Sequence, residues 1–315
     1  MHAKDKSTNV RFMNAIRWLG RRHPDGVGRL ATRLFFMPPR PRGYAWGDAA
    51  LIRGAQRLPV QVRGHRLEAW RFGSGPQVLV QHGWGGRTLQ LTPVIRALVR
   101  AGYSVLALDA PGHGASGWRP ASSIVHFADA VDELLRLHGP ALATIAHSLG
   151  GAAVAHSRAR GSQTGPLILV APFAKPERFY RGFLAHVGLD DDAVRAAAGQ
   201  VEAELGVRFG ALELVSSLAQ GEVPTFIIHD RDDRRVAFRA SQRVAEQVEG
   251  VYLHATHGLG HSRVLADEDV HRFIVEVLAS LPLPPPSSQS ATKEVRSHMV
   301  PSMGELMADL DYGRA

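Results

Sequence analysis

One stretch decides the fold: Ala146-His147-Ser148-Leu149-Gly150-Gly151, which follows the apolar run Leu142–Ile145 and opens a run of small residues. This order predicts a sharp turn from a strand into a helix, with the serine at the apex and its hydroxyl projecting above a sheet. Strand and helix backbones pass close together at such a turn, so small residues are needed two positions either side of the serine. The same letters also fit a glycine-rich turn with a capping serine, so the flanking strand and helix carry the prediction.

Short apolar runs alternate with helix-like segments on both sides of this stretch. We expect a hairpin over Leu58–Phe72 and strands at Gln77–Gln81, Ser104–Leu108, Leu142–Ala146, Leu167–Val170, Pro224–His229 and Val251–His254. Helical patterns cover Leu89–Ala101, Ile124–Leu137, Leu149–Ala159, Phe238–Val248 and Val264–Leu281. Apolar runs of this length suit strands buried on both faces, so we predict an α/β fold with a mostly parallel central sheet and flanking helices.

The chain divides into three predicted zones. Residues 1–45 form a basic segment that ends in a proline-rich hinge, and 46–281 form the α/β domain. Residues 282–315 begin with a proline-rich linker and continue as a polar tail. Inside the domain, 173–221 contains no strand-like run, and an insertion of this length in an alternating fold is often a lid.

Within the basic segment, Phe12, Ile16 and Leu19 recur at helical spacing. We expect this apolar stripe to dock the segment on the protein's own body. The alternative is contact with an anionic membrane surface, because arginines and Trp18 accompany the stripe. Arg11, Asn14 and Arg17 interrupt the apolar core that an export signal would need, and we expect a cytoplasmic protein.

Composition excludes several classes of function. The chain has no cysteine, which excludes disulfides, thiolate metal sites and a cysteine nucleophile. The net charge of +8 arises in residues 1–42, which hold ten Lys or Arg and two Asp or Glu, so the remaining 27 charges of each sign cancel. We therefore expect no nucleic-acid partner for the main body. No metal-binding or dinucleotide motif occurs in a suitable context, so no cofactor and no metal is predicted.

A glycine-rich turn follows the strand at Gln77–Gln81 and reads His82-Gly83-Trp84-Gly85-Gly86. Backbone N–H groups at such a turn can point into a site above the sheet. We predict an oxyanion hole made by the N–H of Trp84 and the N–H of Leu149, since a helix N-terminus also favours negative charge. His82 itself is expected to be a structural hydrogen-bonding residue.

A base and an acid are expected after the last two strands, because a serine hydroxyl needs both to become a nucleophile. Gly258-Leu259-Gly260-His261 follows the final strand and makes His261 the preferred base over His254 and His257. An acidic loop, His229-Asp230-Arg231-Asp232-Asp233, follows the preceding strand. Spacing alone leaves Asp232 open as the acid.

Taken together, these motifs resemble the α/β-hydrolase superfamily. The matching pieces are HGWGG at 82–86, DAPGHGAS at 109–116, AHSLGG at 146–151, HDRDD at 229–233 and GLGH at 258–261, within roughly residues 58–281. The elbow has Ala146 where glycine is usual, and Asp230 replaces the glycine of the usual His-Gly-x-x-Asp pattern. The resemblance implies Ser148, Asp233 and His261 as a catalytic triad, and a structural role for Asp109 and His113.

The resemblance implies a serine hydrolase that cleaves a carboxylic ester, thioester or lactone through an acyl-enzyme on Ser148. Apolar residues of the insertion suggest a small apolar ester as substrate: Phe173, Phe179, Tyr180, Phe183, Leu184 and Val187. They could equally be ordinary helix-packing faces. Alternatives are a C–C bond hydrolase or an acyltransferase with the same triad, and a non-catalytic ligand-binding module of the same fold. The sequence does not define an oligomeric state.

Overall fold

The computed structural model describes residues 14–39, 47–117, 122–220 and 223–282. Its strands are β1 (Gln56–Val62), β2 (His65–Phe72), β3 (Gln77–Gln81), β4 (Ser104–Leu108), β5 (Ala143–His147), β6 (Leu167–Val170), β7 (Thr225–Asp230) and β8 (Val251–Thr256). The helices are α1 (helical at 14–22), α2 (Pro24–Phe35), α3 (Ala49–Gly54), α4 (Thr92–Arg100), α5 (Ile124–His138), α6 (Leu149–Ala159), α7 (Pro176–His186), α8 (Asp191–Leu205), α9 (Leu214–Leu218), α10 (Phe238–Gln247), α11 (Gly260–Arg263) and α12 (Glu268–Ser280).

These strands form one sheet in the order β1-β2-β4-β3-β5-β6-β7-β8. The β1–β2 hairpin is antiparallel and β2 pairs antiparallel with β4, whereas β4, β3, β5, β6, β7 and β8 are mutually parallel. The carboxyl ends of the parallel strands therefore meet at one edge of the sheet, where ligand sites of open α/β sheets form. The predicted fold class is confirmed.

The parallel strands are buried on both faces, as their unbroken apolar runs predicted. Along β3 the side chains alternate between two cores: Leu79 packs on the side of α5 and α6, while Val78 and Val80 pack on the side of α4 and α12. The strands β4 and β5 alternate in the same way. This double burial fixes the register, because a slip of one residue would exchange the two cores.

The predicted closing helix Val264–Leu281 is divided in two. A short 3-10 turn covers Val264–Ala266, and α12 begins after Asp267, whose carboxylate accepts the N–H of Val270 at 3.0 Å. A residue that caps a helix start has a non-helical backbone, so Asp267 interrupts the predicted helix. The strand β8 is two residues longer than predicted because it pairs with β7 as far as Thr256.

Between β6 and β7 the chain forms α7, α8 and α9, and α1 and α2 pack on the first two of these helices. The Oγ1 of Thr32 lies 2.6 Å from the hydroxyl of Tyr180, and the Nε of Arg17 donates to the carbonyl of His186 at 3.2 Å. At Gly20 an added Cβ would come 2.7 Å from the carbonyl oxygen of Val187, so glycine permits the close approach.

The docking stripe expected for the basic segment differs from these contacts. Ile16 is half-buried, but Leu19 is 42% exposed, and Phe12 lies outside the described residues. Gly20 and the inner face of α2 make the contact with the insertion instead, because the backbone approaches closely at Gly20, which is not part of the apolar stripe. The lid role of the insertion and the three-zone division of the chain stay predictions. Among the described helices, none is long and apolar enough to cross a membrane.

Candidate active site

Ser148 occupies the turn between β5 and α6 with φ +54° and ψ −123°, a conformation that side chains other than glycine rarely adopt. Surrounding backbone bonds hold it there. Its N–H donates to the carbonyl of Val170 at 2.9 Å, and its carbonyl accepts the N–H of Gly151 at 2.9 Å and that of Phe173 at 3.1 Å. The turn therefore presents the serine hydroxyl at the carboxyl edge of the sheet.

The glycine-rich loop after β3 lies directly against this turn. A Cβ on Gly150 would come 2.3 Å from the carbonyl oxygen of His82, and a Cβ on Gly83 would come 2.8 Å from the Cβ of Ser148. Both positions therefore require glycine. In the part of the chain that the structure describes, the backbone N–H groups of Trp84 and Leu149 have no hydrogen-bond partner. They are free to bind a ligand oxygen.

The side chain of His261 lies between Ser148 and Asp233. Its Nε2 is 3.1 Å from the serine Oγ, and its Nδ1 is 2.7 Å from an Asp233 oxygen. With the proton on Nδ1, the imidazole donates to the carboxylate and leaves Nε2 to accept the serine hydroxyl. The structure thus brings the three predicted residues into one row, although 113 positions separate the serine from the histidine.

Asp233 is held as a carboxylate. Its Oδ1 accepts the N–H of Arg235 at 2.7 Å and that of Val236 at 3.0 Å, and its Oδ2 lies 3.3 Å from the Nε2 of His229. Burial raises the pKa of Asp233, but the hydrogen bonds from His229 and His261 outweigh it and bring this pKa well below its ordinary value. A charged carboxylate favours a proton on the facing nitrogen of His261.

The other two aspartates of the acidic loop have different partners. Asp230 accepts the N–H of Asp232 at 3.0 Å, that of Leu259 at 3.0 Å and the hydroxyl of Thr256 at 2.8 Å. Asp232 accepts the N–H of Gly258 at 2.9 Å. These bonds tie the acidic loop to the loop that carries His261.

The two competing histidines lie away from the serine. His254 stacks on Phe273 with ring centroids 4.1 Å apart, and the exposed His257 lies 3.2 Å from Asp232. The structure therefore brings neither of them into the row with Ser148.

The sequence reasoning assigned no role to His147, which the structure places beside the base. Its Nε2 donates to the backbone carbonyl of His261 at 2.9 Å, and the two rings lie 4.7 Å apart. Burial, with a smaller contribution from the neighbouring His261, lowers the pKa of His147 to about 3, so the ring is neutral. His147 is the last residue of β5 and His229 the last but one of β7, and a histidine at the carboxyl end of a buried strand is the sequence signal that could have identified them.

A second group of aspartate and histidine lies behind the glycine-rich loop. His82 donates from Nδ1 to the carbonyl of Gly83 at 2.8 Å and accepts the N–H of Ala110 at 2.9 Å, and burial lowers its pKa to about 4. Asp109 accepts the N–H of Thr88 at 2.6 Å and that of Ala115 at 2.8 Å. These side chains bond to backbone and hold two loops.

A cavity of about 750 Å³ lies between the acidic loop and the His261 loop. Four arginines line it together with His261: Arg231, Arg234, Arg235 and Arg263. The apolar insertion residues divide between core and surface. Tyr180 and Leu184 are fully buried in the core, whereas Phe179 is 59% exposed. Within the described ranges, no three His, Asp or Glu side chains are grouped so that they could hold a metal ion.

Parts of this chain are similar in sequence to known proteins. A family model for serine aminopeptidases (S33) matches residues 75–189. The chain is 26% identical over 253 residues to the candidate carbamate hydrolase RutD of Variovorax paradoxus. This match covers 67% of the chain and 94% of RutD. It is 39% identical over 90 residues to a pimeloyl-[acyl-carrier protein] methyl ester esterase of Chromobacterium violaceum, covering 28% of this chain and 34% of the esterase.

Solved structures share the fold over a larger part of the chain. An esterase of Pyrococcus furiosus superimposes with a TM-score of 0.59 at 20% identity, covering 78% of this chain and 97% of that one. This likeness extends over most of both chains and shows a shared fold. The sheet, the turn and these matches show that the chain has the α/β-hydrolase fold, and the family model over 75–189 supports the superfamily that its motifs resemble.

Proposed function

We propose that this protein is a serine hydrolase that cleaves carboxylic esters, or the related thioesters and lactones, through an acyl-enzyme on Ser148. The observation that carries the proposal is the row formed by Ser148, His261 and Asp233, with contacts of 3.1 and 2.7 Å. A pure binding site has no need of a serine held next to a base and a buried carboxylate.

In the first step, the serine oxygen attacks the substrate carbonyl while its proton moves to Nε2 of His261. The negative charge that develops on the carbonyl oxygen is met by the N–H groups of Trp84 and Leu149. The C–O bond of the ester then breaks as the imidazolium returns the proton to the leaving alcohol. Water repeats the sequence on the acyl-enzyme and releases the carboxylic acid.

The surroundings of the base support this cycle. Asp233 is a carboxylate before the reaction and stabilises the imidazolium that forms during it, because its pKa lies well below the ordinary value. His147 fixes the backbone of His261 through the 2.9 Å bond to its carbonyl. The methyl ester esterase and the candidate carbamate hydrolase among the relatives carry names that denote attack on a carbonyl, which is consistent with ester cleavage here.

A fluorophosphonate probe tests the nucleophile without knowledge of the substrate, because it phosphonylates an activated serine. Wild-type protein should be labelled, and it should hydrolyse p-nitrophenyl esters of graded acyl length. Ser148→Ala should lose labelling and reduce turnover on the order of 10⁶-fold while remaining folded. The matched control is Ser280→Ala, because the hydroxyl of this serine donates to the carbonyl of Val277 in α12 and Ser280 does not line the cavity beside His261.

The results separate the alternatives. Labelling that persists in Ser148→Ala would refute the nucleophile. A wild-type protein that resists the probe and hydrolyses no ester would favour a binding module. Labelling of Ser148 without hydrolysis of any ester, thioester or lactone would retain the nucleophile and reject the substrate class.

A further inference from the structure

Exposed apolar side chains concentrate on one part of the surface. In the described parts of the chain, nine large apolar side chains are at least 40% exposed. Six of them lie on the first two helices, directly after the second, or on the neighbouring helix of the insertion: Trp18, Leu19, Leu30, Leu34, Met37 and Phe179. The other three lie on separate elements. A cluster of this kind on a folded protein marks an interaction surface.

The exposure is not a consequence of a poorly anchored helix. The inner face of α2 is packed, since Ala31 is buried and Thr32 bonds to Tyr180. Leu30 and Leu34 lie one turn apart on the opposite face and are 59% and 53% exposed. His23 separates α1 from α2 and bonds to both, because its N–H donates to the carbonyl of Leu19 at 2.8 Å and its carbonyl accepts the N–H of Val27 at 3.0 Å.

Unpaired positive charge accompanies these side chains. Arg29 and Arg33 directly precede the two exposed leucines, and the guanidinium of Arg22 lies 5.8 Å from the ring of Trp18. Among the described residues, the arginines of α1 and α2 form no ion pair. The surface therefore combines apolar groups, a tryptophan and uncompensated guanidinium groups.

We infer that this cationic apolar face, formed by Trp18, Leu19, Arg22, Arg29, Leu30, Arg33, Leu34, Met37 and Phe179, docks on an anionic lipid surface. Leucine and tryptophan enter the boundary between headgroups and acyl chains, while arginine binds lipid phosphate, so this one face satisfies both requirements. A second copy fits less well, because a two-fold interface would bring the same arginines of both chains together.

The face is connected to the candidate active site by aromatic contacts. The ring of Phe179 lies 5.8 Å from that of Phe35 and 5.4 Å from that of Phe173, whose N–H donates to the carbonyl of Ser148 at 3.1 Å. A chain of contacts therefore connects this face with the turn that carries Ser148. The docking itself does not depend on the function proposed for Ser148.

Vesicle co-sedimentation of the full chain tests the inference. Phosphatidylcholine vesicles with phosphatidylglycerol should bind the protein, and vesicles of phosphatidylcholine alone should bind it far less. Arg29→Gln/Arg33→Gln should lower the partition coefficient about tenfold or more. The control Arg239→Gln/Arg243→Gln removes two exposed arginines at the same helical spacing from α10 and should retain binding.

A second pair of variants tests the apolar contribution. Leu30→Gln/Leu34→Gln should lower partitioning about tenfold or more, whereas Leu137→Gln/Val223→Gln removes comparable exposed groups elsewhere and should not. Equal losses in the variants and their controls would overturn the inference, as would a wild-type chain that does not sediment. A wild-type dimer that Leu30→Gln/Leu34→Gln converts to a monomer, without vesicle binding, would assign the face to a second copy instead.

Discussion

Two groups of aspartate and histidine lie at the carboxyl edge of the sheet, and only one of them contacts the serine. In the first, Asp233 faces His261, and the imidazole bridges to Ser148. In the second, Asp109 and His82 are equally buried, yet each bonds to backbone N–H or carbonyl groups of neighbouring loops. Aspartate and histidine therefore contact a side-chain hydroxyl in one group and loop backbone in the other.

The difference lies in what remains free. Each polar atom of His82 and Asp109 is already used by the fold, so neither can exchange a proton with a ligand without breaking a loop. The Nε2 of His261 faces only a hydroxyl, and its ring remains 9% exposed. Backbone conformation also differs, because Ser148 in the first group has a positive φ, whereas His82 and Asp109 in the second do not.

The largest expected effect comes from removing the two carboxylates. Asp233→Asn should lower kcat about 10⁴-fold near neutral pH, because the amide no longer holds His261 in the required tautomer. Asp109→Asn should leave kcat within about tenfold but lower the free energy of unfolding by about 1–3 kcal/mol, since an amide N–H would face a buried backbone donor. Steady-state kinetics and urea unfolding measure the two effects.

Asp232→Asn and Asp230→Asn serve as controls for Asp233, because both side chains bond to loops rather than to His261. Should Asp232→Asn be the variant without activity while Asp233→Asn keeps it, the acid would be Asp232. If Asp109→Asn lost activity while unfolding normally, the distinction between the two groups would fail.

A smaller effect concerns acid unfolding through the second group. Burial lowers the pKa of His82 from 6.5 to about 4, so the unfolded chain binds more protons between these values. Its contribution to stability is complete above pH 6.5 and is lost as the pH falls towards 4, at about 1.4 kcal/mol per unit or about 3 kcal/mol in total. His82→Gln keeps an acceptor for the Ala110 N–H. Between pH 4 and 6.5, the free energy of unfolding of this variant should change with pH by about 1.4 kcal/mol per unit less than that of the wild type. An unchanged slope would contradict the assignment.

The smallest effect is the strain at Ser148. Ser148→Gly and Ser148→Ala both remove the hydroxyl, so their difference reports the backbone alone. Glycine should be the more stable by about 1 kcal/mol, because φ +54° with ψ −123° disfavours a Cβ. At Ala196, an exposed position of α8, the order should be reversed, so that Ala196→Gly lowers the free energy of unfolding. A more stable alanine variant at position 148 would show that the turn is not strained.

The fold could be predicted because its signals are local. Apolar runs at β3, β4 and β6 match the observed strands residue for residue, and the turn at Ser148 follows from small neighbours on a strand and a helix. The positions of Ser148, Asp233 and His261 at one edge follow from parallel strands. Their catalytic roles stay predictions.

Other features depend on contacts that no local pattern contains. His147 bonds to a carbonyl 114 residues away, so its place at the end of a strand indicates that it lies at the site edge but does not identify its partner. Leu19 and Tyr180 illustrate the same limit, since one apolar side chain is exposed and a residue of the proposed lid is core. Spacing shows that a helix has an apolar face but does not show which partner covers it.

The contacts of α1 and α2 have a consequence for the order of assembly. Thr32 meets Tyr180 across 148 residues, Arg17 meets His186 across 169, and Pro39 touches Gly85. Contacts this distant in sequence form late, because the intervening chain must be ordered first. On a ribosome these helices emerge well before α7 and α8, so the segment synthesised early completes its packing last. Until then Ala31 and Phe35 stay uncovered, and the nascent chain carries an unsatisfied apolar surface through most of its synthesis.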